Sequence, residues 1–198
     1  VWTQLKLINQ EKINKMKKVT LIASIALVAA VSIFATVTAP GTTSKWDVKK
    51  SGVSINFELD GHFGTLNDLK ADINFNAADL AKSNITAEIQ VASLDTKDAG
   101  RDKHIKSADF FDAAKYPTIK FVSSSFSTSD EGFTVKGNLT MKDKTFEVSI
   151  PFTFKEDTFE GKFSLNTEEY GVTQPGKKGP LEKDNCFLTI KVPVTAGS

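Results

Sequence analysis

A single cysteine, Cys186, rules out an intramolecular disulfide and any cysteine-based metal cluster. It stands beside Phe187 in an apolar run, the usual setting of a buried, inert thiol. Histidine is almost as scarce. His62 and His104 are too few for a typical zinc site, and nothing in the pattern selects carboxylates to complete one, so neither a metal nor another cofactor is expected. Tyrosine and tryptophan number two each against fifteen phenylalanines. Phenylalanine brings apolar area without a hydroxyl or indole N–H to satisfy, so the interior should be strongly apolar.

A dominant charge is also missing. Setting aside residues 1–39 takes five Lys and one Glu from totals of 25 basic and 24 acidic groups, leaving 20 and 23. The remainder is mildly acidic and has no basic patch, which speaks against a nucleic-acid partner. Those residues are set aside because Val19–Ala39 carries no charge and follows Lys15, Lys17 and Lys18. That is the basic n-region and apolar h-region of a secretory signal, with Val37-Thr38-Ala39 as a small-residue cleavage site. Pro40 shifts the expected cut by a few residues. Residues 1–15 read as an upstream extension, with Met16 as the natural start. The expectation is export to the periplasm or beyond the cell, and one folded domain over residues 40–198.

What the folded part does have is alternation. Val53, Ile55, Phe57 and Leu59 alternate with polar residues; so do Leu69, Ala71, Ile73 and Phe75, and then Ile85, Ala87, Ile89 and Val91. Period-2 patterns of this kind mark half-buried antiparallel strands. The same plan continues through Ile119–Phe126, Phe133–Met141, Phe146–Phe154, Phe159–Leu165 and Leu188–Val194, with Ser123, Ser124 and Ser125 suggesting a bulge. Counting the segment that begins at Lys45 as the first, there are eight strands, most joined by hairpin-length turns. They must form a sandwich or close on themselves, since an open sheet would leave long edges unpaired. An all-β fold of eight antiparallel strands closed into a barrel is favoured, the size at which the interior fills with side chains or holds one small ligand. Alternation alone would also suit a transmembrane barrel; the final TAGS in place of an aromatic strand, and strand ends without aromatic girdles, speak against that.

Two interruptions break the rhythm. Gln174–Asn185 is a loop by its Pro and Gly content. The longer one, around residues 96–115, reads as a short helical insertion: Asp95 or Thr96 caps a helix through His104 to Lys106, and Ser107 or Asp109 caps a second turn carrying Phe110 and Phe111. Phe110, Phe111 and Tyr116 would press onto the barrel as a lid, and Pro117 ends the helical stretch. Asp102 and His104 are two residues apart, so on a helix they point in different directions and form no dyad. No serine motif or cysteine nucleophile accompanies them. Arg101, Asp102 and Asp109 read as an ion-pair and capping cluster, and the chain as a non-enzyme.

The stretch RDKHIKSADFFDAAKYPTIKF closely resembles the signature of the YceI-like family of secreted lipid-binding proteins. FGTLNDLKADINF before it, VKGNLTMKDKTFEVSIPFTF after it and FSLNTEEYGV near the end are similar to further family blocks, so the likeness spans nearly all of residues 45–195. It implies a lipocalin-like barrel, usually exported, whose apolar cavity binds a polyisoprenoid chain such as an isoprenoid quinone or a prenyl phosphate. The sequence departs from the pattern at His62, displaced from the position many members use, at Thr167, where an Arg is common, and in lacking a glycine-tryptophan loop.

The expected function is therefore noncovalent carriage or sequestration of a long-chain isoprenoid lipid by a monomer or homodimer with transient membrane contact. The ligand-binding residues expected are Phe57, Phe75, Ile89, Val91, Phe121, Phe133, Phe152 and Phe163, with Phe110 and Phe111 at the lid. Arg101, Lys103 and Lys106 are the cations expected to meet an anionic head group. The alternative is a structural or stress-response barrel that acts through a protein partner without a ligand; a hydrolase or isomerase acting on the bound lipid is a third reading.

Overall fold

The computed structural model describes residues 45–59, 61–172 and 185–197. The leader-like segment 1–39 and the loop 174–184 lie outside the described residues. Among these residues are eleven strand segments: β1 (Lys45–Val48), β2 (Ser54–Leu59), β3 (His62–Leu66), β4 (Leu69–Asn74), β5 (Asn84–Gln90), β6 (Leu94–Asp95), β7 (Thr118–Ser129), β8 (Gly132–Met141), β9 (Lys144–Lys155), β10 (Thr158–Leu165) and β11 (Cys186–Ala196). One helix, α1 (Ala99–Lys106), stands between β6 and β7.

These segments make an eight-membered ring because the first three strands are each broken in two. β1 and β2 both pair with β11, β1 at its end and β2 at its beginning. β4 pairs with β1 while β3 pairs with β2. β5 pairs with β4 and β6 with β3. From β5 the ladder runs through β7, β8, β9, β10 and β11 and closes on β1, antiparallel throughout. The barrel expected from alternation is thus formed, with breaks at residues 49–53, at Asn67–Asp68 and at the 3-10 turn Val91–Ser93 that alternation did not reveal. The serine bulge is present, as a register shift between Ser123 and Ser125. There the Ser123 hydroxyl accepts a hydrogen bond from the Ile85 N–H at 2.8 Å, so a backbone donor on β5 keeps a partner.

Inward-facing residues sort into two layers. At the end carrying the β7–β8 and β9–β10 hairpins, the fully buried Phe75 ring meets those of Phe126, Phe133, Phe152, Phe154 and Phe159 at centroid separations of 5.1–6.1 Å. Four of the five contacts are edge-on, the arrangement that aligns ring edges with ring faces and contributes about 0.5–1.5 kcal/mol per pair beyond area burial. Trp46 supports the plug by donating its indole N–H to the Phe75 carbonyl at 2.9 Å. This end of the barrel is solid. Above it the wall is mostly aliphatic.

Aromatic rings elsewhere are seated on glycines across the strand. Phe57 pairs with Gly64, and a Cβ on that glycine would overlap the Phe57 ring. The Phe121 ring covers Gly137 in the same way, at 2.6 Å from where a Cβ would stand. The ring fills the hole the missing side chain leaves and stiffens the strand there. Gly64→Ala should therefore cost about 1–3 kcal/mol by overpacking, and combining it with Phe57→Leu should recover part of that cost; urea denaturation of the two variants and the double variant checks both.

Candidate functional site

The sequence places helix formers and four aspartates, Asp95, Asp98, Asp102 and Asp109, before the aromatic pair Phe110 and Phe111, and the structure turns this into a lid over the end opposite the plug. Asp98, and not Asp95 or Thr96, is the N-cap of α1: its carboxylate accepts the Arg101 N–H at 3.0 Å, which holds its pKa below the usual carboxylate range. The expected caps are used otherwise. Asp95 accepts from the Lys97 N–H and ammonium. Thr96, which is buried, donates its N–H and its hydroxyl to Asp102 at 2.8 and 2.6 Å. Ser107 closes the end of α1 by donating to the His104 carbonyl, and it also heads the expected turn that carries Phe110 and Phe111, its own carbonyl accepting the Phe110 N–H at 3.1 Å. The expected cluster is thereby resolved: Arg101 lies 3.5 Å from Asp98, Asp102 is held by Thr96, and Asp109 stands 3.3 Å from His104. Each polar group has a structural partner and none is aimed at a reactive neighbour.

Phe110 and Phe111 are buried under this lid together with Val91, Leu94, Tyr170 and Val172. Two lysines of the β8–β9 hairpin clasp it. Lys142 donates its ammonium to the carbonyls of Phe110 and Gly171, at 2.7 and 3.0 Å, and Lys144 donates to the Glu169 carbonyl at 2.9 Å. One point charge on a flexible stem can satisfy two carbonyls of different segments at once, which ties the 107–116 turns to the 166–172 turn. Thr167 is buried and exchanges hydrogen bonds with Asn185 at 2.9–3.2 Å.

Between plug and lid lies a cavity of about 180 Å³. Its wall is apolar throughout: Ile55, Leu66, Leu69, Ala71, Ile73, Ile85, Ala87, Ile89, Ile119, Phe121, Val135, Leu139, Met141, Ile150, Phe152, Phe159, Phe163, Leu165, Leu188, Ile190 and Val192, together with Gly161. Of the residues expected to bind a ligand, Ile89, Phe121, Phe152 and Phe163 line this cavity. Phe57 and Val91 are buried toward the lid, with Phe110 and Phe111, and Phe75 and Phe133 belong to the plug; none of these six is part of the wall. Arg101, Lys103 and Lys106 lie on α1, away from the cavity wall. The aliphatic majority of the wall was visible in the same alternation that located the strands, at positions such as Leu139, Val135 and Ile190. Of the large rings, Phe121, Phe152 and Phe163 reach the wall, whereas Phe75 and Phe133 fill the plug. No group of acidic, histidine or cysteine side chains suited to holding a metal ion occurs among the described residues.

An apolar cavity enclosed by an eight-stranded antiparallel barrel, with a helical lid, defines a lipocalin-like architecture. The chain belongs to the YceI-like domain family, whose model matches residues 46–194. It is 39% identical over 140 residues to a UPF0312 protein of Pseudomonas savastanoi pv. phaseolicola, covering 65% of this chain and 73% of the relative. Among solved structures it is similar to Burkholderia cenocepacia BcnA, with 25% identity, a TM-score of 0.63 and coverage of 75% of this chain and 98% of the other. A polyisoprenoid binding domain from Saccharophagus degradans, implicated in plant cell wall breakdown, shares the fold at 10% identity and a TM-score of 0.50, over 77% of this chain and 98% of that one.

The lid carries a pH-dependent group. Burial raises the Tyr170 hydroxyl from its ordinary 10.0 to about 12, with the nearby Glu169 carboxylate adding to the shift. The unfolded chain therefore releases this proton first. The corresponding stability is complete below pH 10 and is lost as the pH rises toward 12. Tyr170→Phe should show a shallower loss of stability than the parent chain across that window, measured as the urea midpoint against pH.

Proposed function

We propose that this protein binds a long apolar lipid, of the isoprenoid class, in the barrel cavity and carries or sequesters it without chemical change. The observation that carries the reading is the wall: apolar at every position, and continuous from Leu66 near the lid to Phe159 at the plug. Burying hydrocarbon against such a surface gains about 25 cal/mol per Å², while any hydroxyl or charge taken inside would go unpaired at a cost of several kcal/mol. The wall thus selects for a ligand that is hydrocarbon over most of its length. It also offers no nucleophile, acid or base, which favours binding over turnover. The fold shared with a polyisoprenoid binding domain supports the isoprenoid class, and the sequence block shared with the family supports the same choice.

At about 180 Å³ the cavity falls below the roughly 300–1,000 Å³ of sites that enclose a drug-sized molecule. A chain of several isoprene units therefore requires the barrel to widen. Export to the periplasm or beyond the cell fits a lipid carrier and is supported by the charge pattern of residues 15–39.

Ala71 and Ala87 face each other across β4 and β5 on the cavity wall, so leucines there would fill the space without removing any contact. Ala71→Leu/Ala87→Leu is expected to weaken binding of the apolar fluorophore N-phenyl-1-naphthylamine at least tenfold while holding or raising the melting temperature. Native mass spectrometry of the parent chain from its own host should show a co-purifying lipid absent from the double variant. Equal fluorophore affinity in both forms, or repeated recovery of the parent chain without lipid, would sink the reading.

A further inference from the structure

The floor of the cavity is made of rings that also belong to the plug. Phe152 and Phe159 line the cavity with their centroids 5.9 Å apart, and each meets the Phe75 ring behind them, at 5.5 and 5.4 Å. Phe75 is 1% exposed and takes no part in the wall. Phe133 and Phe154 back the same two rings, Phe133 at 5.5 Å from Phe152 and Phe154 at 4.4 Å from Phe159. A hydrocarbon chain running down the barrel therefore ends on two ring surfaces that cannot sink, because the space behind them is already close-packed.

The two ends of the cavity also differ in polarity. The buried polar residues among those described are Thr96, Asn166 and Thr167, and all three stand at the lid end. Thr96 is engaged by Asp102 and Thr167 by Asn185. Asn166 directly follows Leu165, the last wall residue of β10, and its side-chain oxygen accepts the Glu168 N–H at 3.0 Å. Its N–H₂ has no partner, alone among the buried side-chain nitrogens and oxygens of the described residues. A buried donor left unpaired costs free energy that an acceptor on a ligand would recover. The floor has nothing of the kind, since no polar side chain lines the cavity.

The depth between floor and lid sets a length. On β10 the wall runs from Phe159 to Leu165, which is about 20 Å of strand and about 15 Å along the barrel axis at a tilt of roughly 40°. Each isoprene unit lengthens a chain by about 4–5 Å, taking the reach per bond of an extended backbone. About three units span the depth.

Resting on the lipid-binding reading above, we infer that the Phe152–Phe159 floor is a length gauge. The hydrocarbon end of the lipid stops on these rings, about three isoprene units below the lid, and its oxygen-bearing end lies at the lid, where the Asn166 amide is the hydrogen-bond donor. Widening of the barrel adds breadth and leaves this depth unchanged. Further units of a longer chain stay outside the wall and gain nothing from it.

Displacement of N-phenyl-1-naphthylamine by geraniol, farnesol, geranylgeraniol and geranylfarnesol, a series that grows by one isoprene unit at each step, reads the gauge. Affinity should rise at least tenfold from geraniol to farnesol and less than twofold at each later step. Phe159→Ala should move this break one step toward the longer alcohols, a phenyl ring and an isoprene unit being of similar size. Val135→Phe, which adds a ring to the wall one inward position above Phe133, should move it one step shorter. These variants change the interior in opposite directions, so misfolding of one leaves the other to decide. A steady rise through the whole series, or a break that stays in place in the folded variants, overturns the gauge and leaves lipid binding intact. Failure of the parent chain to bind the probe and every alcohol removes the lipid reading and the gauge with it. For the polar end, Asn166→Asp keeps the oxygen that accepts from Glu168 and removes the donor. Farnesyl methyl ether, which only accepts, should bind this variant at least fivefold more weakly than the parent, and the hydrocarbon farnesene within twofold. An equal change in both ligands, or none in either, overturns the assignment of Asn166.

Discussion

Everything in this molecule depends on β11 pairing on both sides. Its ladder with β10 spans Leu165↔Cys186 to Thr158↔Pro193, and its other edge takes β2 and then β1. A sheet of alternating strands without that closure would expose two long edges and leave its inner apolar face open to water. With it, eight strands enclose a volume in which side chains from every strand converge. The closing contacts join the beginning of the folded region to its end, so they form at high loop-closure cost. The plug offsets that cost at the point where closure occurs: Trp46 on β1, Phe75 after β4 and Phe154 and Phe159 of the β9–β10 hairpin all meet there.

The division of the interior into an aromatic end and an aliphatic middle follows from the same closure. Rings are large enough to meet across the axis and fill it, and they do so near the hairpins, where a lone ring such as Phe75 touches five others. Isoleucine, leucine, valine and alanine are shorter, and in the middle of the barrel they line a void they cannot reach across. Water gains no hydrogen bonds by entering such an apolar space. The wall is thereby matched to hydrocarbon.

Strand number, alternation, the serine bulge and the helical insertion were all legible in the chain, since each is written in local periodicity or local turn chemistry. Which phenylalanines would line the cavity was not. Phe75, just after β4, and Phe152 on β9 both point inward, yet one is wholly plug and the other reaches the wall of the cavity. The difference is depth along the barrel axis, which depends on the register of strands far apart in sequence. The cap of α1 escaped for a smaller reason. Asp95, Thr96 and Asp98 are all competent caps, and the choice fell to Asp98 because Thr96 is buried against Asp102 and Asp95 is engaged by Lys97.

The residue pattern by itself determined that these strands would bury one face and that the buried material would be hydrocarbon, because period-2 alternation and a preponderance of phenylalanine leave no other way to remove so much apolar surface from water. Only the tertiary structure decided that the ring would close, that the largest rings would fill one end while smaller side chains left space in the middle, and that β9 and β10 would pair from their hairpin as far as Phe152↔Gly161. Those outcomes turn on register between distant strands, and a register is a property of pairs that no single strand contains.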